Sequence, residues 1–295
     1  MKAADFDYVC PASLDEVCQQ LKAAAGDAKV LAGGQTLVPL LAMRLTRPAL
    51  LVDINNVAEL RGIREDDDAL VIGGATRQAM AEHSALVHRA LPLLIKGLRN
   101  VGHIQTRNRG TVGGSVANAD PSSEICLVSL TLSAEITCRG PDGDRAVPAE
   151  EFFLGPMVTA LEPDECLTEI RIPVWRDEGG AGCGFQEISP RRSDFALASA
   201  AAQLVMGADG ICRRAAAGIG GAGATPMRVD EAADLLVGTA VEDADIARAV
   251  EAAISTVEAE TDLHATADYR RRVAGVMLER AIREARAQAL GTKVQ

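Results

Sequence analysis

The sequence predicts an α+β protein in two parts, with α/β-type subdomains over residues 1–175 and a further α+β domain over residues 176–295. Two observations support this division. Before residue 175, short apolar strands alternate with helical segments, whereas after it a run of strands precedes a run of helices, the order typical of α+β domains. The chain of 295 residues is long enough for two or three domains with buried cores.

The first subdomain, over about residues 1–55, is predicted to be a small α/β unit. Ser13-Leu14-Asp15-Glu16 has the form of a capping box, with a hydroxyl at the N-cap and a carboxylate three residues later. It predicts a helix to about Ala25, which Gly26 ends. A strand, a helix and a second strand are predicted next, at KVLA (29–32), LVPLLAMRL (37–45) and ALLVDI (49–54).

The second subdomain, over about residues 56–175, is predicted to begin with a hairpin. Two short strands in ELRGIREDDDALVIGGAT (59–76) flank Asp66-Asp67-Asp68, which we interpret as a solvated turn and not as a cation site. Helices are predicted from Arg77, from about His88 to Asn100 and from Ser122 to Leu130, with a glycine-rich loop before the last of these. Strands are predicted at AEITCRG (134–140) and CLTEIRIPV (166–174).

The C-terminal domain is predicted to follow a linker, RDEGGAGCG, from Arg176 to Gly184. Strands are expected at GFQEIS (184–189), ALASAAAQLVM (196–206) and ICRRAAAGIG (211–220), and helices at 229–237, 243–257 and 266–290. In the last helix, Val273, Met277 and Ile282 lie roughly on one face. That face is interpreted either as core packing or as support for an interface with partners.

Composition and charge exclude several classes of protein. A net charge of −11 and an aromatic content of 3% disfavour binding to nucleic acid or to an anionic membrane. No apolar run approaches the ~20 residues of a membrane span, and the acidic N-terminus does not resemble a secretory signal, so we expect a cytoplasmic protein. The seven cysteines show no C-x-x-C pair, which predicts free, mostly buried thiols and no metal site.

Two glycine pairs are the candidate binding elements of the sequence: Gly33-Gly34 in VLAGGQTLVPLL and Gly113-Gly114 in TVGGSVANADPSSE. Each pair is predicted to follow an apolar segment and to precede a helix. Glycine allows backbone N–H groups to converge on an anion without any basic side chain, and a helix start adds partial positive charge. Two such loops are suited to the two phosphates of one dinucleotide.

A third glycine-rich segment, GIGGAG (218–223), matches the pattern G-x-G-x-x-G. The dinucleotide fingerprint also needs a helix that opens within the motif and an acidic residue at the end of a second strand. Here Pro226 follows almost at once. We therefore interpret this segment as a turn that closes a β-meander.

The longer motifs resemble a known family. VLAGGQTLVPLLAMRL (30–45) and VGHIQTRNRGTVGGSVANADPSSE (101–124) closely resemble the FAD-binding medium subunit of the molybdenum hydroxylases, the family of xanthine dehydrogenase and carbon monoxide dehydrogenase. SDFALASAA, from Ser193, and DLHATADYRR, from Asp262, resemble the C-terminal domain of the same family. The resemblance covers nearly the whole chain.

The resemblance implies a vanillyl-alcohol-oxidase-type FAD-binding domain of two subdomains, followed by a smaller α+β domain. It implies that the diphosphate is cradled by Ala32, Gly33, Gly34, Gln35, Thr36 and Leu37, and that the second loop is formed by Thr111, Val112, Gly113, Gly114 and Ser115. Thr111 and Ser115 would donate through their hydroxyls. No His or Cys lies in either loop, so FAD is expected to be non-covalent.

The resemblance also implies roles for residues outside the loops. Glu124 stands where the family has an acidic residue for a ribose hydroxyl, and Asp120 is expected to support the second loop. Ile170 and Gln186 match positions near the flavin. Val101 stands where some relatives have an aromatic residue over the flavin ring.

The family further implies a division of labour between subunits. A large subunit holds the molybdopterin cofactor and a small subunit holds two [2Fe–2S] clusters, and the complex is expected to be a dimer of heterotrimers. This chain would take electrons from the clusters onto FAD and pass them to an external acceptor. The substrate and the acceptor cannot be read from this sequence.

Two alternatives remain open at this point. One is a stand-alone flavin oxidase of the same wider fold, which would need acid–base residues near the flavin; the four histidines (His83, His88, His103 and His264) are isolated in the sequence. The other is a scaffold that has lost its flavin, which the intact glycine pairs disfavour. The basic segment RNVGHIQTRNRG is interpreted as structural, or as a contact with phosphates or partner subunits.

Overall fold

The computed structural model describes residues 2–175 and 180–292. The first subdomain is a three-stranded parallel sheet in the order β1-β3-β2. Its elements are the strands β1 (Asp7–Val9), β2 (Ala28–Leu31) and β3 (Leu50–Asp53) and the helices α1 (Leu14–Ala23) and α2 (Leu37–Ala42). The predicted strand, helix and strand of this unit are confirmed, while β1, which has three residues and none of them buried, was not predicted.

Helix α1 begins where its capping residue predicts. The Ser13 hydroxyl accepts a hydrogen bond from the Glu16 amide at 3.3 Å. The capping box itself is incomplete, because the Glu16 carboxylate accepts from the Ala12 amide at 2.9 Å, one residue before the N-cap. Gly26, with φ of +92°, follows the helix in the left-handed region.

The second subdomain is built on a five-stranded antiparallel sheet in the order β4-β5-β10-β6-β7, and β8 and β9 form a separate small hairpin. The strands are β4 (Ile63–Asp66), β5 (Ala69–Gly73), β6 (Glu135–Gly140), β7 (Gly143–Pro148), β8 (Phe153–Gly155), β9 (Val158–Thr159) and β10 (Cys166–Pro173). The predicted hairpin at Asp66–Asp68 is confirmed. Asp66 and Asp68 pair with Arg171 at 3.5 and 2.9 Å, so the turn is held by a neighbouring strand.

Besides a 3₁₀ helix at Ala58–Leu60, seven α-helices belong to this subdomain in the described part of the chain: α3 (Gln78–Glu82), α4 (Ala85–Ala90), α5 (Pro92–Leu98), α6 (Ile104–Arg109), α7 (Val112–Asn118), α8 (Glu124–Thr131) and α9 (Ala149–Phe152). The prediction of one helix from His88 to Asn100 is wrong, because Pro92 begins a new helix after Leu91. The prediction of a loop at the second glycine pair is also wrong, because both glycines lie in the first turn of α7. Helix α8 is buried from Ile125 to Thr131, as expected of a helix that is apolar on all sides.

The C-terminal domain is a four-stranded antiparallel meander, β11-β12-β13-β14, followed by three helices. Its elements are β11 (Gly180–Ile188), β12 (Ala198–Met206), β13 (Cys212–Gly220), β14 (Met227–Arg228), α10 (Asp230–Asp234), α11 (Asp243–Thr256) and α12 (Ala267–Ala289). Strands followed by helices confirm the predicted α+β class. The domain limits at residues 55 and 175 stay predictions.

The predicted linker is in part a strand. Arg176–Gly179 lie outside the described residues, but Gly180–Gly184 form the first half of β11. A Cβ added to Gly180, Gly182 or Gly184 would lie 1.9, 2.0 and 2.0 Å from a carbonyl oxygen of α12. These glycines therefore allow α12 to lie directly on the strand, and the linker interpretation is wrong for this half.

The GIGGAG segment also serves packing. Gly218 and Gly220 lie in β13, and the turn follows at Gly221 with φ of +71°, so the predicted β-meander turn is confirmed. A Cβ on Gly218 would lie 2.3 Å from the Thr131 hydroxyl of α8. The C-terminal sheet is thus packed against the central helix of the second subdomain.

The last helix packs into the C-terminal core. Val273, Met277 and Ile282 are all buried there, so their predicted common face is confirmed as a core face. No helix among residues 2–175 and 180–292 is both long and apolar enough to cross a membrane.

Candidate functional site

The two glycine segments, Ala32–Leu37 and Thr111–Ser115, meet in space although they are far apart in the sequence. A Cβ on Gly33 would lie 2.4 Å from the Arg109 carbonyl oxygen and 2.7 Å from the Gly110 Cα. A Cβ on Gly114 would lie 3.9 Å from the Ala32 Cβ. The fold therefore brings the two predicted segments together in one site, and glycine is required at position 33 by the close approach of two backbones.

A polar bridge holds the two segments together. Asn55 donates to the Ala32 carbonyl at 2.8 Å and accepts from Arg77 at 2.5 Å, and Arg77 also donates to the Arg109 carbonyl. Burial, together with the nearby charges of Arg109 and Arg61, lowers the pKa of the Arg77 guanidinium. Sequence analysis missed Asn55 and Arg77, since nothing in their local sequence shows that they connect the two segments.

The first segment presents a run of unpaired amides. Among the described residues, none accepts a hydrogen bond from the backbone N–H of Gly33, Gly34, Gln35, Thr36 or Leu37. Gly34 has a φ of +71°. Successive amides around such a turn form the kind of concave site that binds anions.

The amides of the second segment are used within the protein. Val112 donates to the Thr76 carbonyl at 2.9 Å and Gly113 to the Gly74 carbonyl at 3.1 Å. Gly114 donates to the Thr111 hydroxyl at 3.0 Å, which makes Thr111 the N-cap of α7. A Cβ on Gly113 would lie 2.5 Å from the Gly74 backbone, so these glycines serve close packing.

The hydroxyls of the second segment can still donate. The Thr111 oxygen accepts from the Gly114 amide, and the Ser115 oxygen accepts from Gln78 at 2.9 Å. Each contact uses the oxygen as an acceptor and leaves the hydroxyl hydrogen for another partner. Gln78, which also donates to the Thr111 carbonyl at 3.5 Å, is a third site residue that was not predicted from the sequence.

A group of carboxylates lies beyond the second segment. Glu124 is the first residue of α8. Burial, with a smaller contribution from the neighbouring charges of Glu187 and Asp120, raises its pKa to about 8, while Arg107 opposes the shift. Burial also raises the pKa of Glu187 to about 7. The Oε2 atom of Glu187 is buried and has no hydrogen-bond partner among the described residues.

Glu187 also lines a polar cavity of about 270 Å³ at this end of the site. The other lining residues are Arg99, Asn100, Ile188, Ser189, Arg192 and Ser193. They come from the end of α5 and from the chain after β11, so both domains contribute to the cavity. Glu187 was not singled out by sequence analysis.

The remaining predicted residues have different surroundings. Asp120 accepts from the Ser122 amide at 2.9 Å and so shapes the turn before α8. Val101 is half-buried, and its carbonyl accepts from Arg107 at 2.9 Å. Ile170 is fully buried in β10, and Gln186 donates to Glu284 of α12 at 2.9 Å, so neither side chain joins the group around Glu124.

Most thiols are buried. Of the seven free cysteines, only Cys10 is exposed, which confirms the predicted buried thiols. Within the described residues, no group of three or more His, Cys, Asp or Glu is placed to hold a metal ion.

We expect Glu124→Gln to stabilise the cofactor-free protein at high pH. The folded pKa of about 8 lies above the ordinary value of 4.5, so the folded state keeps a proton that the unfolded state releases. The stability due to this proton is complete below pH 4.5 and is lost as the pH rises through 8. Across this window the free energy of unfolding of the wild type should fall by roughly 5 kcal/mol relative to the variant.

Urea unfolding at several pH values would measure this difference. Glu231→Gln, on the exposed first turn of α10, is the matched control and should leave the shape of the pH curve unchanged. A difference between Glu124→Gln and the wild type that stays constant over the window would contradict the assigned burial of Glu124.

Comparison with known proteins identifies the family of this chain. Residues 4–175 match the family described as the FAD binding domain in molybdopterin dehydrogenase, and residues 184–285 match the CO dehydrogenase flavoprotein C-terminal domain. The chain is 38% identical to subunit alpha of the 6-hydroxypseudooxynicotine dehydrogenase complex of Paenarthrobacter nicotinovorans, over 99% of this chain and 98% of the relative. It is 36% identical to caffeine dehydrogenase subunit beta of a Pseudomonas strain, over 97% and 96% of the two chains.

A solved structure gives the same result. Carbon monoxide dehydrogenase from Hydrogenophaga pseudoflava, in a form that lacks the Mo-pyranopterin moiety of its molybdenum cofactor, superposes with a TM-score of 0.94 at 35% identity. The match covers 98% of this chain and 100% of that one. The predicted fold class is thereby confirmed, and the chain belongs to the FAD-binding medium subunits of the molybdenum hydroxylase family, which are subunits of oxidoreductases.

Proposed function

We propose that this chain is the electron-transfer flavoprotein of a molybdenum hydroxylase: it receives electrons from [2Fe–2S] clusters of a partner subunit and passes them to an external acceptor. The observation that carries the proposal is the contact between the two glycine segments beside a run of unpaired amides. When FAD is bound, it supplies a redox group that can accept electrons one or two at a time.

The first segment is assigned to the diphosphate. The amides of Gly33 to Leu37 have no acceptor within the described protein, so two phosphates can take their hydrogen bonds without displacing any existing contact. The backbone of Ala32 fixes the start of this run through its bond from Asn55. No basic side chain is required, since the charge is supplied by aligned N–H groups.

The second segment is assigned a different share of the binding. Thr111 and Ser115 donate their hydroxyl hydrogens to the ligand. Val112, Gly113 and Gly114 hold the segment close to Gly74 and Ala32 so that these hydroxyls reach it. With neither His nor Cys in the two segments, FAD is held non-covalently.

The carboxylates are assigned to the sugar and flavin portions. Glu124 accepts a hydrogen bond from a ribose hydroxyl, and Asp120 maintains the turn that presents Glu124. The assignment of Val101, Ile170 and Gln186 to the surroundings of the flavin stays a prediction. Because Glu187 approaches Glu124 and Gln186 is bound to Glu284, we assign direct contact with the ligand to Glu187.

The partners follow from the family. The relatives carry names such as subunit alpha and medium chain, which support a place in a multi-subunit enzyme. We propose a large subunit with the molybdopterin cofactor, a small subunit with two [2Fe–2S] clusters, and a dimer of heterotrimers located in the cytoplasm.

A reconstitution experiment tests the proposal. Purified alone, the chain should contain FAD and should reduce an acceptor slowly with NADH or a reduced dye. It should not oxidise aldehydes, purines, other N-heteroaromatics or CO, because the described residues beside the flavin site include no substrate-activating group. Addition of the molybdenum and [2Fe–2S] subunits should start substrate-dependent reduction of the acceptor.

The alternative, a stand-alone flavin oxidase, makes the opposite prediction. It requires an acid–base group at the flavin, yet His83 and His88 each contact a helix carbonyl, at 2.7 and 2.9 Å. Substrate turnover by the isolated chain, at a rate that the partner subunits do not increase, would favour the oxidase and contradict the proposal.

A further inference from the structure

A buried arginine of the last helix connects segments on both sides of the site. Arg270 of α12 is only 7% exposed. It donates to the Leu197 carbonyl at 2.8 Å and to the Gly221 carbonyl at 2.7 Å, and it pairs with Asp262 at 2.6 Å. A buried guanidinium is retained only where such hydrogen bonds and an opposite charge offset its desolvation, so its position is closely fixed.

The two carbonyls that Arg270 holds belong to segments that touch the start of α8. The Gly221 amide donates to the Pro121 carbonyl at 2.8 Å. The Ser122 hydroxyl donates to the Ala196 carbonyl at 3.1 Å. Residues 121 and 122 lie between Asp120 and Glu124, so Arg270 is two contacts away from the turn that precedes the carboxylate assigned to the ribose.

The same arginine fixes the other wall of the site. Leu197, whose carbonyl Arg270 holds, donates its amide to the Ile188 carbonyl at 2.8 Å and closes the loop of residues 189–196. Ser189, Arg192 and Ser193 of this loop line the polar cavity together with Glu187. One guanidinium thus joins the turn before α8 to the loop after β11.

We infer that Arg270 is a positioning residue of the cofactor site, which clamps the loop of residues 189–197 against the turn of residues 120–123 and so keeps Glu187 opposite Glu124. The inference rests on the proposed FAD site. The C-terminal domain then contributes to FAD affinity, although Arg270 itself lies outside the site.

Arg270→Met tests the clamp, with Arg286→Met as the matched control. Arg286 lies on the same helix, donates to the Ala240 carbonyl at 3.0 Å and lies 4.0 Å from Glu242, but it holds no segment of the site. FAD titration of the cofactor-free full chain should show a Kd increase of about tenfold or more for Arg270→Met and less than about twofold for Arg286→Met. Arg270→Lys, which can reach one carbonyl, should recover part of the affinity.

Two further measurements separate positioning from simple destabilisation. Ser122→Ala removes only the hydrogen bond to Ala196. Because both substitutions break the same connection between the loop and the turn, the loss of FAD binding free energy in the double variant should be smaller than the sum of the losses in Ser122→Ala and Arg270→Met. Arg270→Met should also flatten the pH dependence of stability that Glu124 confers, because the charge of Glu187 would then act on Glu124 less strongly; Arg286→Met should not. If Arg270→Met does not fold, the FAD Kd values of Ser122→Ala and Arg270→Lys test the inference instead.

The inference is overturned if Arg270→Met binds FAD as tightly as the wild type, or if Arg286→Met loses FAD to the same degree. It is also overturned if, where Arg270→Met does not fold, Ser122→Ala and Arg270→Lys both keep wild-type affinity. A wild-type chain that binds no FAD would instead refute the proposed function, whatever the variants do.

Discussion

Gly182→Val is expected to prevent stable folding of the C-terminal domain. A Cβ at this position would lie 2.0 Å from the Ala285 carbonyl oxygen and 2.5 Å from the Ala289 amide nitrogen. Overpacking of a core usually costs about 1–3 kcal/mol because side chains can move aside. Here the obstacle is helix backbone, which cannot move aside in this way. We therefore expect the free energy of unfolding to fall by more than about 4 kcal/mol, seen as insoluble protein or as unfolding at a lower urea concentration.

Ala181→Val is the control for this prediction. Ala181 is the next residue of β11, it is exposed, and a β-branched side chain suits a strand. The free energy of unfolding of this variant should lie within about 0.5 kcal/mol of the wild-type value. Wild-type stability in Gly182→Val would show that α12 does not lie as close to the strand as the structure places it.

Gly33→Ala is expected to yield a folded chain without FAD. The added methyl group would collide with the Arg109 carbonyl and the Gly110 Cα, both backbone atoms, and would force the two glycine segments apart. The bridge through Arg77 and Asn55 would then break. We expect the Kd for FAD to rise at least about 100-fold, which corresponds to ~2.7 kcal/mol, while the C-terminal domain stays intact.

Absorbance of the purified variant in the flavin bands and FAD titration of the cofactor-free chain measure this effect. Gly155→Ala is the matched control, because its Cβ would meet only the Val158 Cβ, at an ordinary 3.8 Å. Full FAD content in Gly33→Ala would contradict the assignment of the first segment to the cofactor. The same result would leave the family membership untouched, since that rests on the whole chain.

The predictions that succeeded depend on local chemistry. The hydroxyl of Ser13 starts α1, the acidic turn at Asp66–Asp68 joins two strands, and the alanine-rich β12 was recognised although alanine favours helices. Each of these signals lies within a few residues of the element that it defines. The order of strands and helices, and with it the fold class, follows from such signals.

Apart from the predicted helix that Pro92 divides, the predictions that failed concern glycines and long-range polar contacts. Gly113 and Gly114 suggested a loop but lie in a helix, and Gly180–Gly184 suggested a linker but form a strand. Gly113 lies against the Gly74 backbone, and Gly180, Gly182 and Gly184 lie against the backbone of α12, contacts that local sequence does not reveal. For the same reason Arg77, Glu187 and Arg270 were not recognised, because their partners are distant in the chain.

The position of Arg270 has a consequence for the order in which the protein matures. A chain emerges from the ribosome N-terminus first, at about 5–20 residues per second, so the segments Ala32–Leu37 and Thr111–Ser115 can fold well before residue 270 is made. The clamp, however, closes only after α12 has been synthesised and has packed on β11. FAD would then bind tightly only to chains that include the last helix. Fragments that end before it would contain little FAD and would be exposed to proteolysis.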